Sequence, residues 1–148
     1  MDNKELIRAA FVARSRAYAP YSHYLVGAAL MDGDGNIISG CNVENASYGL
    51  CNCAERTAVF KAVSEGKHDF AAIAITGGPD TPDREGRVSY STSDNAYPCG
   101  ACRQVLREFC DPESFKVIVA RSLDDHKEYT LNELLPESFG PDNLGSKP

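Results

Sequence analysis

No apolar run in the 148-residue sequence approaches the ~18 residues that a membrane-spanning helix requires, which excludes a helical membrane protein. The start, Met1-Asp2-Asn3-Lys4-Glu5, lacks the basic-then-apolar layout of a secretory leader, so the chain is expected in the reducing cytoplasm. Basic residues are in the minority, 15 Lys and Arg against 21 Asp and Glu, and the formal net charge is −6. That balance disfavours a nucleic-acid partner, whose phosphates draw clustered Lys and Arg. Repeats, linkers and low-complexity tracts are absent as well. What remains, 43% hydrophobic and 24% charged residues, is the composition of an ordinary globular protein. A chain of ~150 residues buries roughly 68–70% of its unfolded surface in one core. We expect one domain over 1–148 with a small-molecule ligand.

Cysteine is plentiful by contrast, at Cys41, Cys51, Cys53, Cys99, Cys102 and Cys110. In a reducing compartment this calls for metal binding, redox chemistry or core packing rather than disulfides.

Hydrophobic periodicity predicts a first helix from a capping box at Asp2 and Glu5, through Leu6, Ala10, Ala13 and Ala17, to an end near Ala19-Pro20. Tyr24 to Met31 and Ile37 to Val43 read as strands joined by the turn Asp32-Gly33-Asp34-Gly35-Asn36. Cys53 to Glu65 carries the helical period and stops at Gly66. The apolar run Phe70 to Thr76 suits a strand covered on both faces, and Gly77 to Ala96 reads as a long loop. A third helix follows Pro98, then a strand at Phe115 to Ala120, a weaker one at Lys127 to Thr130, and a helical turn at Leu131 to Leu135. This alternation argues an α/β layered domain.

Two clusters carry chemistry: Cys53-Ala54-Glu55 and Pro98-Cys99-Gly100-Ala101-Cys102. Both fall where a helix begins, and the partial positive charge there favours thiolate over thiol. Three thiolates from two such ends can fill three corners of a zinc tetrahedron and leave the fourth for water. Glu55, two residues past Cys53, is placed to move protons without being a ligand, as in the zinc nucleobase deaminases. Other readings stand beside this one. Glu55 with Asn52 fits a helix cap; Cys99 and Cys102 fit a redox pair; Cys51, Cys53, Cys99 and Cys102 fit a closed structural zinc site. Arg56 is placed to hydrogen-bond the thiolates and offset their charge. Asn42 and Glu44 share a side of an extended segment, a suitable grip for a ribose. Tyr24 and Phe139 are candidate surfaces against a planar base.

The chain resembles the small homotetrameric cytidine deaminases over nearly its whole length. The likeness is carried by Ala19-Pro20-Tyr21-Ser22-His23, Val26-Gly27-Ala28-Ala29-Leu30, Gly40 to Gly49, Cys53-Ala54-Glu55-Arg56-Thr57-Ala58, Pro98 to Gln104, Glu133-Leu134-Leu135-Pro136 and Phe139-Gly140-Pro141. The resemblance implies a three-layer α-β-α fold around a mixed five-stranded sheet. It also implies zinc-dependent hydrolysis of cytidine and deoxycytidine to uridine and deoxyuridine with release of ammonia. Zinc is implied on Cys53, Cys99 and Cys102, with Glu55 as proton shuttle. Asn42 and Glu44 match the ribose-binding pair, and Tyr24 stands where the family usually has phenylalanine. Ala46 and Tyr48 match positions near the nucleoside, and Tyr48 and Phe139 are implied to reach a neighbouring subunit's site. Main-chain groups near Ala54 and Cys99 are implied to read the base. The long loop and Cys51 depart from the family pattern, and the loop is expected to cover the site or touch another subunit. Competing expectations are deamination of another cytosine nucleoside and a non-catalytic zinc-stapled module.

Overall fold

A computed structural model describes residues 3–79 and 88–145. Its elements run α1 (Asn3–Arg14), β1 (Tyr24–Asp32), β2 (Ile37–Cys41), α2 (Ala54–Ser64), β3 (Phe70–Pro79), α3 (Gly100–Phe109), β4 (Lys116–Ala120), β5 (His126–Thr130) and α4 (Leu131–Leu134). The five strands form one sheet in the order β2-β1-β3-β4-β5. Only β3 and β4 pair in parallel, joined by the crossover through α3, so the sheet is mixed.

Side chains along the central strands divide by size between the two faces. Ala29, Ala72, Ala74, Ile118 and Ala120 meet Leu6, Ile7, Ala10 and Phe11 of α1. The opposite face presents Leu30, Ile73, Ile75, Val117 and Val119 to Ala58, Val59 and Ala62 of α2 and Leu106 of α3. Alanines let α1 lie close, while branched residues fill the wider space under the other two helices. Burying each large apolar side chain contributes about 1.5–3 kcal/mol. The result is an α-β-α sandwich, as the resemblance implied. Both sides of β3 are covered, which explains its near-continuous apolar run.

Two glycines set the helix-to-sheet spacing. A Cβ on Gly27 would stand 2.0 Å from the Ala10 carbonyl oxygen, and one on Gly40 2.5 Å from the Ala58 nitrogen. The hairpin turn forms as expected: Asp32 accepts from the backbone N–H groups of Asp34 at 3.0 Å and Asn36 at 2.8 Å. Gly35 supplies the left-handed residue, with φ 89°.

Three expectations need correction. Helix α1 stops at Arg14, not near Ala19-Pro20, because Arg16 and Ala17 bond back only three residues, to Ala13 and Arg14. The buried Arg14 then turns inward, its Nε donating to the Leu25 carbonyl at 3.0 Å. The segment Gly77 to Ala96 is not loop throughout, since Gly77, Gly78 and Pro79 continue β3 against Val26, Leu25 and Tyr24. Strand β2 ends at Cys41, and Val43 makes only isolated bridges to Tyr18 and Asn52. Asp2 of the expected capping box lies outside the described residues.

Candidate active site

The two motif clusters meet at the same edge of the sandwich because each begins a helix that packs on the sheet face carrying Ile73 and Val117. Cys53 is the N-cap of α2 and Cys99 the N-cap of α3, both with extended backbone. Cys102 sits in the first turn of α3 and is fully buried; its backbone N–H donates to the Cys99 sulfur at 3.5 Å. The three sulfurs lie within 4.8 Å of one another. Cys53 and Cys99 are 3.8 Å apart, Cys99 and Cys102 3.5 Å. Disulfides would need ~2.05 Å. A tetrahedral zinc with ~2.3 Å bonds to sulfur has edges of about 3.8 Å, so the triangle fits that ion.

The surroundings favour a thiolate at Cys53, while the Cys102 thiol is pushed upward by its hydrogen bond to Cys53 and then by burial. A hydrogen bond from Cys102, and then one from Arg56, draw the Cys53 thiol down to about 5. The Arg56 guanidinium donates to the Cys53 sulfur at 3.3 Å and its own pKa rises in response, chiefly through that bond. Its Nε is buried and, among the described residues, has no hydrogen-bond partner. Glu55 is 4% exposed. Burial, reinforced by the negative Cys53, raises its carboxyl to about 7. Such a group can hold or release a proton near neutrality.

Neither the helix-cap reading of Asn52 with Glu55 nor the closed four-cysteine reading matches this geometry. Asn52 does not cap α2: Cys53 occupies that position, and the Asn52 amide donates to Thr57 Oγ1 at 3.1 Å. Cys51 is not in the three-sulfur group. Its sulfur accepts instead from the Asn45 N–H at 3.3 Å.

A cavity of about 440 Å³ opens over the sulfurs, within the range of small-molecule sites. It is lined by Tyr24, Asn42, Glu44, Cys53, Ala54, Glu55, Arg56 and Cys99, along with Cys51 and Asn52. The Asn42 amide is fixed to the start of β1, accepting from Val26 N–H and donating to the Tyr24 carbonyl, both at 2.8 Å. Glu44 is held by the Tyr21 and Ser22 backbone N–H groups at 3.0 and 3.1 Å and by the Ser22 hydroxyl. The Ser22 hydroxyl, foremost among these, keeps its carboxyl below the ordinary range despite partial desolvation. Tyr24 keeps its phenol protonated, through burial and then the neighbouring Asp94.

Ala46, Tyr48 and Phe139 do not line this cavity. Tyr48 is 70% exposed and meets the Tyr21 ring at a 53° tilt in an adjoining groove; Phe139 is 60% exposed, beside Gln104 and Pro141. The cavity also contains Asn95, Ala96 and Tyr97, which sequence reasoning did not single out. Their only signal was position, directly before Pro98-Cys99 in a loop expected to approach the site.

An α-β-α sandwich with three sulfurs and a buried glutamate at two helix starts defines the zinc-dependent deaminase class. Comparison with known proteins agrees. Residues 1–119 match the family model described as the cytidine and deoxycytidylate deaminase zinc-binding region. The chain belongs to that family. It is 47% identical to a cytidine deaminase of Halalkalibacterium halodurans over 97% of this chain and 98% of the relative. A cytidine deaminase of Sporosarcina psychrophila is 46% identical over 97% of this chain and 96% of its own. Among solved structures, the cytidine deaminase of Burkholderia pseudomallei superposes with TM-score 0.79 at 46% identity, covering 94% of this chain and 100% of that one. That of Mycobacterium tuberculosis gives 0.74 at 37% identity, covering 95% and 98%.

Proposed function

We propose that this chain hydrolyses cytidine and deoxycytidine to uridine and deoxyuridine, releasing ammonia, in pyrimidine salvage. The observation that carries the reading is the Glu55 carboxyl, buried in the same cavity as the three sulfurs and the Asn42–Glu44 pair. Cys53, Cys99 and Cys102 would hold the zinc. Bound there, zinc would supply Lewis-acid activation of water, lowering its pKa toward ~7.

The chain's own groups do the rest. Asn42 and Glu44, both pre-oriented by backbone bonds, grip the sugar hydroxyls. Tyr24 forms a wall against the base. Glu55 takes a proton from the attacking water and delivers it to N3 of the cytosine, which makes C4 electrophilic. After the resulting hydroxide has added at C4, Glu55 takes the proton of the new C4 hydroxyl and passes it to the amine, and ammonia departs as the C4–N bond breaks and the C4 carbonyl forms. Each step needs a carboxyl that is neutral at one moment and ionised at the next, and burial provides for both. Arg56 holds the Cys53 thiolate in place and offsets its charge.

The described elements share one sheet, which supports one domain over 1–148. Exposed Tyr21, Tyr48, Leu50 and Phe139 support a homotetramer with shared sites, in which Tyr48 and Phe139 close a neighbour's cavity. Free cysteines support a cytoplasmic setting. Among the described residues, no helix is long and apolar enough to cross a membrane. The test is ammonia release from cytidine by the purified protein, with and without a zinc chelator. Stoichiometric uridine and ammonia that vanish on chelation are expected; zinc-loaded protein inert toward both nucleosides would refute the reading.

A further inference from the structure

The segment 92–97, whose Asn95, Ala96 and Tyr97 form one wall of the cavity, is held at both ends before any ligand arrives. At one end, Thr92 N–H donates to the Arg121 carbonyl at 2.8 Å and its hydroxyl to the Gly77 carbonyl at 3.0 Å. At the other, the Tyr97 and Tyr129 hydroxyls meet at 3.2 Å and their rings pack edge-on, 5.9 Å apart. Between them, Ala96 sits so close to β3 that a Cβ on Gly77 would lie 2.8 Å from its methyl and 3.3 Å from the Tyr24 ring. Ala96 and the Tyr24 ring therefore converge on the same bare stretch of β3 at Gly77.

Asn95 stands in this wall, half-buried and lining the cavity. The other carboxamides there each have a protein partner that orients them: Asn42 bonds Val26 and Tyr24, which leaves one N–H and one lone pair for the sugar, and Asn52 bonds Thr57. Among the described residues, the Asn95 carboxamide has no partner. A cavity-lining amide on a half-buried residue, with no partner among the described residues, is placed to bond a ligand.

We infer that Asn95 is a further substrate-binding residue whose side-chain carboxamide hydrogen-bonds the bound pyrimidine nucleoside. This rests on the deaminase reading above. The immobilised wall means that little ordering remains to be done at binding, so the bond counts nearly in full. Losing one neutral hydrogen bond corresponds to about 3- to 10-fold in affinity.

The test compares wild type, Asn95→Ala and Asn95→Leu, each zinc-loaded. The readouts are KM and kcat for cytidine and inhibition by uridine, which reports binding without chemistry. We expect both variants to raise KM and the uridine inhibition constant by about 3- to 10-fold with kcat unchanged. Leucine keeps the bulk of asparagine, so wild-type KM in Asn95→Leu would mean that shape, not hydrogen bonding, matters, and the inference would fall. Unchanged KM in Asn95→Ala would overturn it equally. Were wild type itself inactive on cytidine, the deaminase reading would fail instead, a separate result.

Discussion

Replacing Gly40 by alanine tests whether the tight seat of α2 on β2 sets the catalytic geometry. An added Cβ would stand 2.5 Å from Ala58 N and 2.7 Å from Ala54 O, both backbone atoms of the first turns of α2. No rotamer change relieves such a contact. Restoring ordinary contact at 3.4 Å from 2.5 Å requires the helix start to move by about 0.9 Å. Cys53 and Glu55 ride on that turn. Overpacking of this kind costs about 1–3 kcal/mol. For a domain near 150 residues this lowers Tm by roughly 2–12 °C. Displacing a catalytic group by about 1 Å costs on the order of 10²-fold in rate, so kcat/KM should fall further than stability alone explains. Calorimetry and initial rates on zinc-loaded protein measure both. Gly49→Ala is the control, because a Cβ there meets nothing within 4 Å. Unchanged Tm and unchanged turnover in Gly40→Ala would refute the argument.

Cys102→Ala should fold but lose stoichiometric zinc, since one corner of the sulfur triangle goes; metal analysis after gel filtration checks it, and a full zinc complement would contradict the ligand set. Asp32, buried, is held at about 2 because hydrogen bonds from Asn36, Lys67 and Asp34 outweigh its desolvation. Its folded pKa lies below its unfolded one, so its contribution is present above 3.8 and disappears as pH falls toward about 2. The Tm gap between wild type and Asp32→Asn should therefore be widest near neutrality and shrink across that acid window; a constant gap would show that charge is not what matters.

What the sequence disclosed was the local chemistry. Helix starts at Cys53 and Cys99 and the turn at Asp32 to Gly35 depend on neighbouring residues, so they were readable within a few positions. The end of α1 was not, because Ala17 keeps a helical period although Arg14 is drawn inward to backbone carbonyls of β1 and β3. Gly77-Gly78-Pro79 looks like a loop by composition. It is strand because β1 pairs with it and because Thr92 and Ala96 pack where side chains would otherwise stand. At the site, Glu55 and the three cysteines were visible from spacing and resemblance. Asn95 and Tyr97 were hidden by lying in a loop whose path depends on contacts with Gly77, Arg121 and Tyr129, far away in sequence.

The most direct test of the central claim is Glu55→Gln, assayed beside wild type for zinc content and for ammonia released from cytidine. The amide keeps the shape of the carboxyl but cannot carry its proton. We predict equal zinc in both proteins, an unchanged fold, and turnover reduced by at least ~10²–10⁴-fold, the usual worth of general acid–base help. Near-normal turnover in a zinc-replete Glu55→Gln protein would contradict the account and put the proton carrier elsewhere.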